Sequence, residues 1–148
     1  MEKYLMQMIM GCIGAVGFAV LFNVRRSNLW IIAAASALSW MGYAACMLCN
    51  TGVFWAFFCG TAVAALISEI LARIVRVPVL MLLVPILIPL IPGGDLYHMM
   101  SNMVRGQEEQ MIHYGRLLLQ EAGAIALGII CVASFMSILM GLKQRKTH

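Results

Sequence analysis

Apolar runs separated by charged or turn-forming residues divide the chain at about 4–22, 29–48, 53–73, 77–91 and 117–141. A helix needs about 20 apolar residues to cross the hydrocarbon core of a bilayer. Four of the runs reach that length, and only 77–91 falls short. Of 148 residues, 63% are hydrophobic and 11% charged, which leaves too little polar surface for a water-soluble body or a separate soluble domain. The chain therefore reads as an all-α polytopic membrane protein, a single transmembrane domain over 1–148 with about five spans. The first run should remain as a span. Its start, MEK, is hardly basic, and it ends at Arg25 and Arg26 rather than at a small-residue cleavage site.

The short run carries all four prolines, in PVLMLLVPILIPLIPGG, residues 78–94. Proline removes a backbone donor and clashes with the preceding turn. Pro78 stands at the start of the run, where a missing donor costs little. Pro85, Pro89 and Pro92 lead to Gly93 and Gly94, so the fourth span is expected to be broken. In lipid an irregular backbone is tolerated only where protein buries it or a watery cavity faces it. Transporters use such breaks to aim half-helix N-termini at anionic groups. Here Pro92, Gly93 and Gly94 would free amides at a half-helix beginning near Leu96, with Asp95 as an ordinary N-cap whose charge competes with an anion. A kinked packing helix ended by a Pro-Gly turn is the plainer alternative. Beyond it, Leu96, Met99, Met100, Met103 and Val104 recur at helical spacing before a polar turn near Gly106 to Gln110. The stretch 95–116 thus reads as a half-helix followed by an interfacial segment.

With five spans, Arg25, Arg26, Arg73, Arg76, Lys143, Arg145 and Lys146 share one side, and Lys3, Arg105 and Arg116 take the other with Glu2, Asp95, Glu108 and Glu109. The positive-inside rule makes the first side cytoplasmic, giving an N-out/C-in chain. The net charge of +4 reflects this bias. With neither a basic helix nor an aromatic platform, nothing points to nucleic acid.

Ionisable residues within spans are functional candidates. Ala62, Ala65, Glu69, Arg73 and Arg76 fall on one helical face, beside a small-residue row of Gly60, Ala64 and Ser68. Glu69 and Arg73 read either as an anchoring i,i+4 pair at the cytoplasmic rim or as part of a gate. Glu121 reads either as a pathway or coupling acid or as a solvated acid in the first turn of the last span. Gly11, Gly14 and Gly17, and Ala124 with Gly128, read as helix contacts. Cys12, Cys46, Cys49, Cys59 and Cys131 all lie in apolar stretches and are expected to be packing residues without a disulfide; the CMLC pair lacks the second pair or the histidines of a metal site. A redox enzyme built on Cys46 and Cys49 is a remote reading. His98 and His113, with the nearby acids, match no ligand spacing. No metal site, cofactor motif or catalytic constellation is expected.

SEILAR, with Ser68, Glu69, Ala72 and Arg73, is followed by Pro78, Pro85, Pro89, Leu90, Pro92, Gly93 and Tyr97. These residues resemble the bacterial threonine/serine exporter family. The chain is similar to that family's small membrane-only component, a C-terminal-half type that also occurs as the small subunit of a two-component succinate exporter. The resemblance implies a half-transporter in the bacterial cytoplasmic membrane for threonine, serine or a small dicarboxylate, driven by an ion gradient. The long exporters join two membrane halves, the first with a hydrophilic domain that this chain does not show, so the resemblance implies a separately encoded, larger membrane partner carrying that domain; two five-span halves in succession form an inverted pair, of which an N-out/C-in chain would be the second. Pro89, Pro92, Gly93, Gly94, Asp95, Glu69, Arg73 and Glu121 become candidates for a substrate path or gate, and Ser68, Pro78, Pro85 and Tyr97 mark the motif. A membrane scaffold that only stabilises another protein is the alternative.

Overall fold

A computed structural model describes the chain from Glu2 to Arg145, with side chains for residues 6–139. Lys146 lies outside the described residues, as do the side chains of Glu2, Lys3, Lys143 and Arg145. Every regular element described is helical: α1 Glu2–Leu21, α2 Leu29–Leu48, α3 Val53–Val75, α4 Val79–Leu87, α5 Gly93–Val104 and α6 Glu108–Arg145, with 3-10 turns at Arg26–Asn28 and Ile88–Leu90. Among them α2, α3 and α6 are long and apolar enough to cross a membrane, α4 and α5 reach that length only as a pair bent at the break between them, the form of a broken span or a re-entrant loop, and Met6–Leu21 of α1 is a shorter apolar helix. The chain is an all-α polytopic membrane protein.

Four helices end in the same way. Asn23, Asn50, Arg76 and Gly106 adopt left-handed backbone angles, with φ of 55°, 57°, 58° and 69°. In each case the next residue donates its N–H five positions back: Val24 to Ala19, Thr51 to Cys46, Val77 to Ala72 and Gln107 to Asn102. This Schellman arrangement satisfies carbonyls that a helix end leaves open. Asn and Gly tolerate the conformation, whereas Arg76 holds it against its own steric preference. The following residues Val24 and Val77 pack into the core, which ties the caps to the tertiary fold.

Apolar burial between helices yields little in lipid, where the tails are as apolar as leucine, so close packing and interhelical hydrogen bonds carry the association. Small residues supply both. Ser39 of α2 donates to the Gly60 carbonyl of α3 at 3.0 Å. A Cβ built at Gly60 would lie 3.0 Å from Tyr43, and one at Gly128 of α6 would lie 3.0 Å from Thr61 of α3 and 3.2 Å from the Phe58 carbonyl. Ala15 and Ala19 of α1 share a core with Ile32, Leu82 and Ile86. The expected contacts at Gly11, Gly14, Ala124 and Gly128 are present, but Gly17 faces open space. Outward-facing Leu80, Leu119 and Trp30 fit a lipid surround.

These contacts order the helices by direction. Gly14 lies against Ile88 and Gly11 against Pro89, so α1 and α4 run antiparallel. Ala124 packs with Phe57, and Gly128 meets Thr61, so α3 and α6 run parallel. The α1–α2 and α3–α4 connections consequently meet at one end of the bundle, where Arg25 lines a cavity together with Val77. We call this the basic end. The connection between α5 and α6 lies at the opposite end.

Candidate functional site

Proline builds the break between α4 and α5. Pro78 is the N-cap of α4, and its carbonyl accepts from Met81 at 3.1 Å. Pro85 lies buried inside α4 and deprives that helix of one bond, Pro89 tightens the next turn to 3-10, and Ile91 is extended at φ −68°, ψ 124°. Pro92 then caps α5, whose axis is bent by 60° from the preceding segment. Pro89 is clamped from outside, because a Cβ on Gly11 would come within 2.8 Å of its ring.

The second half-helix starts at Gly93 rather than near Leu96, and Asp95 is therefore not its N-cap. Pro92 holds that place without a side-chain bond, and Asp95 becomes an acid of the first turn. Gly93 donates to the Ile91 carbonyl at 2.7 Å and Leu96 to that of Pro92 at 3.2 Å, while the N–H groups of Gly94 and Asp95 have no backbone acceptor among the described residues. Neither glycine has a left-handed backbone, and a Cβ at either would meet nothing within 4 Å. Their absent side chains leave the helix start bare.

The carboxyl of Asp95 lies against that of Glu121 on α6. Glu121 is not a solvated first-turn acid. Because α6 begins at Glu108, Glu121 stands about three and a half turns inside it and is 5% exposed. Its Oε2 is buried without a hydrogen-bond partner among the described residues. One turn further on, Ala124 packs with Phe57 and Leu90, which puts Glu121 level with the first turn of α3. For the same reason 108–116 is no separate interfacial segment but the beginning of α6, with a turn at 105–107 before it.

Glu69 and Arg73 form the expected i,i+4 pair, at 2.8 Å, with the Arg73 side chain 41% exposed and that of Glu69 16%. Glu69 also lines a small cavity of about 190 Å³ with Leu83, Ile129 and Ala133. Twelve residues of α3 separate Glu69 from Phe57, or about 18 Å, so this pair and the Asp95–Glu121 pair are not one site. Ser68 spends its hydroxyl on the Ala64 carbonyl of its own helix at 2.7 Å, a packing arrangement. Tyr97 is exposed and stands edge-on to His98, which stacks on Tyr114 at 5.0 Å. His113 also rests against Tyr114, and no group of side chains suited to a metal ion occurs among the described residues. Cys46 meets the thiol of Cys59 on α3, and all five cysteines are free.

Sequence reading missed Thr61. It is fully buried where α3 crosses Gly128, and its hydroxyl has no partner among the described residues. The only signal was its place directly after Gly60 at the head of the small-residue row.

A sequence model of the family described as Threonine/Serine exporter, ThrE, matches residues 7–135, which take in every candidate position. No curated protein and no solved structure matches the chain.

Proposed function

Since the chain belongs to the threonine/serine exporter family, we propose that it is a half-transporter subunit of a secondary exporter whose substrate is a small zwitterionic amino acid such as threonine or serine. The observation that carries this reading is the bare start of α5 beside the Asp95–Glu121 pair. Free N–H groups at a helix N-terminus favour a carboxylate. The adjacent carboxyls favour an ammonium group. One unit of negative charge about 5 Å from a second substrate carboxylate would disfavour it by about 3 kcal/mol at an effective dielectric of 20. Succinate-like dianions therefore fit less well than an amino acid.

A larger, separately encoded membrane partner completes the transporter in this reading. Gly94 is exposed at the break, its N–H and that of Asp95 have no backbone acceptor among the described residues, and backbone N–H groups facing lipid without partners would each cost several kcal/mol. Protein or a water-filled path must cover them. The basic end, with Arg25, Arg26, Arg73 and Arg76, faces the cytoplasm, and the N-terminus lies outside. The membrane is the bacterial cytoplasmic membrane.

The test is efflux of labelled threonine, serine and succinate from cells co-expressing the partner. Asp95→Asn and Glu121→Gln should each lower amino-acid export at least tenfold while the complex still assembles. Unchanged export in both variants would remove the site assignment, and succinate export without amino-acid export would remove the substrate assignment. Losses that track only the amount of assembled complex would favour the scaffold role.

A further inference from the structure

At the basic end, a cavity of about 530 Å³ opens between the α1–α2 and α3–α4 connections. That volume lies within the roughly 300–1,000 Å³ usual for ligand sites. Its two walls differ in chemistry. The α3–α4 side is apolar, with Ile74, Val75 and Met81, while Arg25, Ser27 and Asn28 add polar groups to the α1–α2 side, which is otherwise partly apolar.

The polar wall has spare capacity. Arg25 forms no ion pair among the described residues. The Ser27 hydroxyl donates to Asn28 Oδ1 at 3.4 Å, and the Asn28 amide nitrogen has no acceptor among the described residues. Among the described side chains, four arginines stand at this end against one carboxylate, Glu69, and that one is already paired with Arg73. An anion is the matching ligand. On the apolar wall Ile74 is 71% exposed. Threonine, serine or succinate has little apolar surface to set against such a wall, whereas an anionic amphiphile has both parts. Basic pockets between transmembrane helices bind acidic lipid headgroups for this reason.

We propose that this cavity holds the phosphate-bearing headgroup of an anionic phospholipid, with Arg25 and Asn28 on the phosphate and Ile74 and Met81 along the glycerol and first acyl carbons. The site is independent of the transport reading. It lies at the start of α4, whereas the bare helix start lies beyond that helix's end.

The purified protein in detergent, titrated with phosphatidylglycerol, phosphatidylcholine or inorganic phosphate, would be read by native mass spectrometry and thermal unfolding. Phosphatidylglycerol should be retained at least tenfold better than phosphatidylcholine and should raise the unfolding temperature. Arg25→Gln should cut that retention at least tenfold, and Met81→Trp, which fills the apolar side, should do the same. Arg26→Gln, whose side chain does not line the cavity, should change retention less than threefold. Unfolding of each variant without added lipid keeps a folding defect apart from a binding defect. Equal losses for Arg25→Gln and Arg26→Gln would reduce the effect to surface charge and overturn the site. Displacement of the lipid by millimolar inorganic phosphate would make it a free-anion site instead.

Discussion

Three glycines at three-residue spacing on α1 provide a test of the packing that holds the broken helix. A methyl group at Gly11 would sit 2.8 Å from Pro89 Cβ and 3.0 Å from its Cγ; at Gly14 it would sit 3.4 Å from Ile88 Cγ2; at Gly17 it would meet nothing within 4 Å. Carbon atoms pack best at about 3.5–4.0 Å, so Gly11→Ala forces a separation of about 1 Å against a rigid ring. Overpacking of this kind costs about 1–3 kcal/mol. Each substitution also gains up to about 1 kcal/mol of helix propensity, a benefit common to all three. Gly17→Ala should therefore be neutral or stabilising, Gly14→Ala close to neutral because the Ile88 methyl can yield, and Gly11→Ala less stable than Gly17→Ala by about 1–3 kcal/mol. For a chain of this size that is a difference of about 2–12 °C. Thermal unfolding in detergent, followed with a thiol-reactive dye on the five native cysteines, would measure it. Adding Pro89→Gly, which removes both the Cβ and the Cγ, should recover most of the loss within a double-mutant cycle, which isolates the coupling of two residues in contact. Equal unfolding temperatures for Gly11→Ala and Gly17→Ala would refute the clamp of α1 on the break.

Two further substitutions separate interhelical from local contacts. Ser39→Ala, which removes the 3.0 Å bond to the Gly60 carbonyl across α2 and α3, should destabilise the bundle by about 0.5–1.5 kcal/mol. Ser68→Ala, whose hydroxyl bonds only within α3, should cost less in the same thermal assay; the reverse order would discount the α2–α3 link. Arg73→Gln should lower stability by less than about 1 kcal/mol, because its partner bond is largely exposed. Its export should stay within twofold of wild type, and a tenfold loss at unchanged stability would make the Glu69–Arg73 pair a gate rather than an anchor.

Hydropathy makes the membrane helices legible because lipid demands long apolar segments, and proline and glycine mark the break because their backbone chemistry is local. Where chemistry and helix boundaries part company, sequence reading goes astray. The stretch 108–116 is polar, yet Glu, Gln, Met and Arg are good helix formers, so α6 runs through it and carries Glu121 away from any helix start. Gly-Gly-Asp reads as a turn, but Pro92 pre-sets the backbone and α5 begins at once. Tertiary facts are less accessible still. Gly11 and Gly17 look alike in the sequence, and only the placement of Pro89 distinguishes them. The meeting of Asp95 with Glu121 depends on the fold of the α5–α6 hairpin, which no local pattern encodes.

The length of α6 has a mechanical consequence. At 38 residues it is about 57 Å long, close to twice the roughly 30 Å of hydrocarbon it has to cross. At Gly128 it packs tightly on the Thr61 side chain and the Phe58 carbonyl of α3, and such a crossing is a natural fulcrum. The arm from Gly128 to Glu108 measures about 30 Å, so a tilt of about 10° would swing its tip by about 5 Å, while Glu121, much nearer the pivot, would move by less than about 2 Å. A tilt of this kind would give the long helix the unequal travel of a lever, large at the α5–α6 hairpin and small at the buried acid.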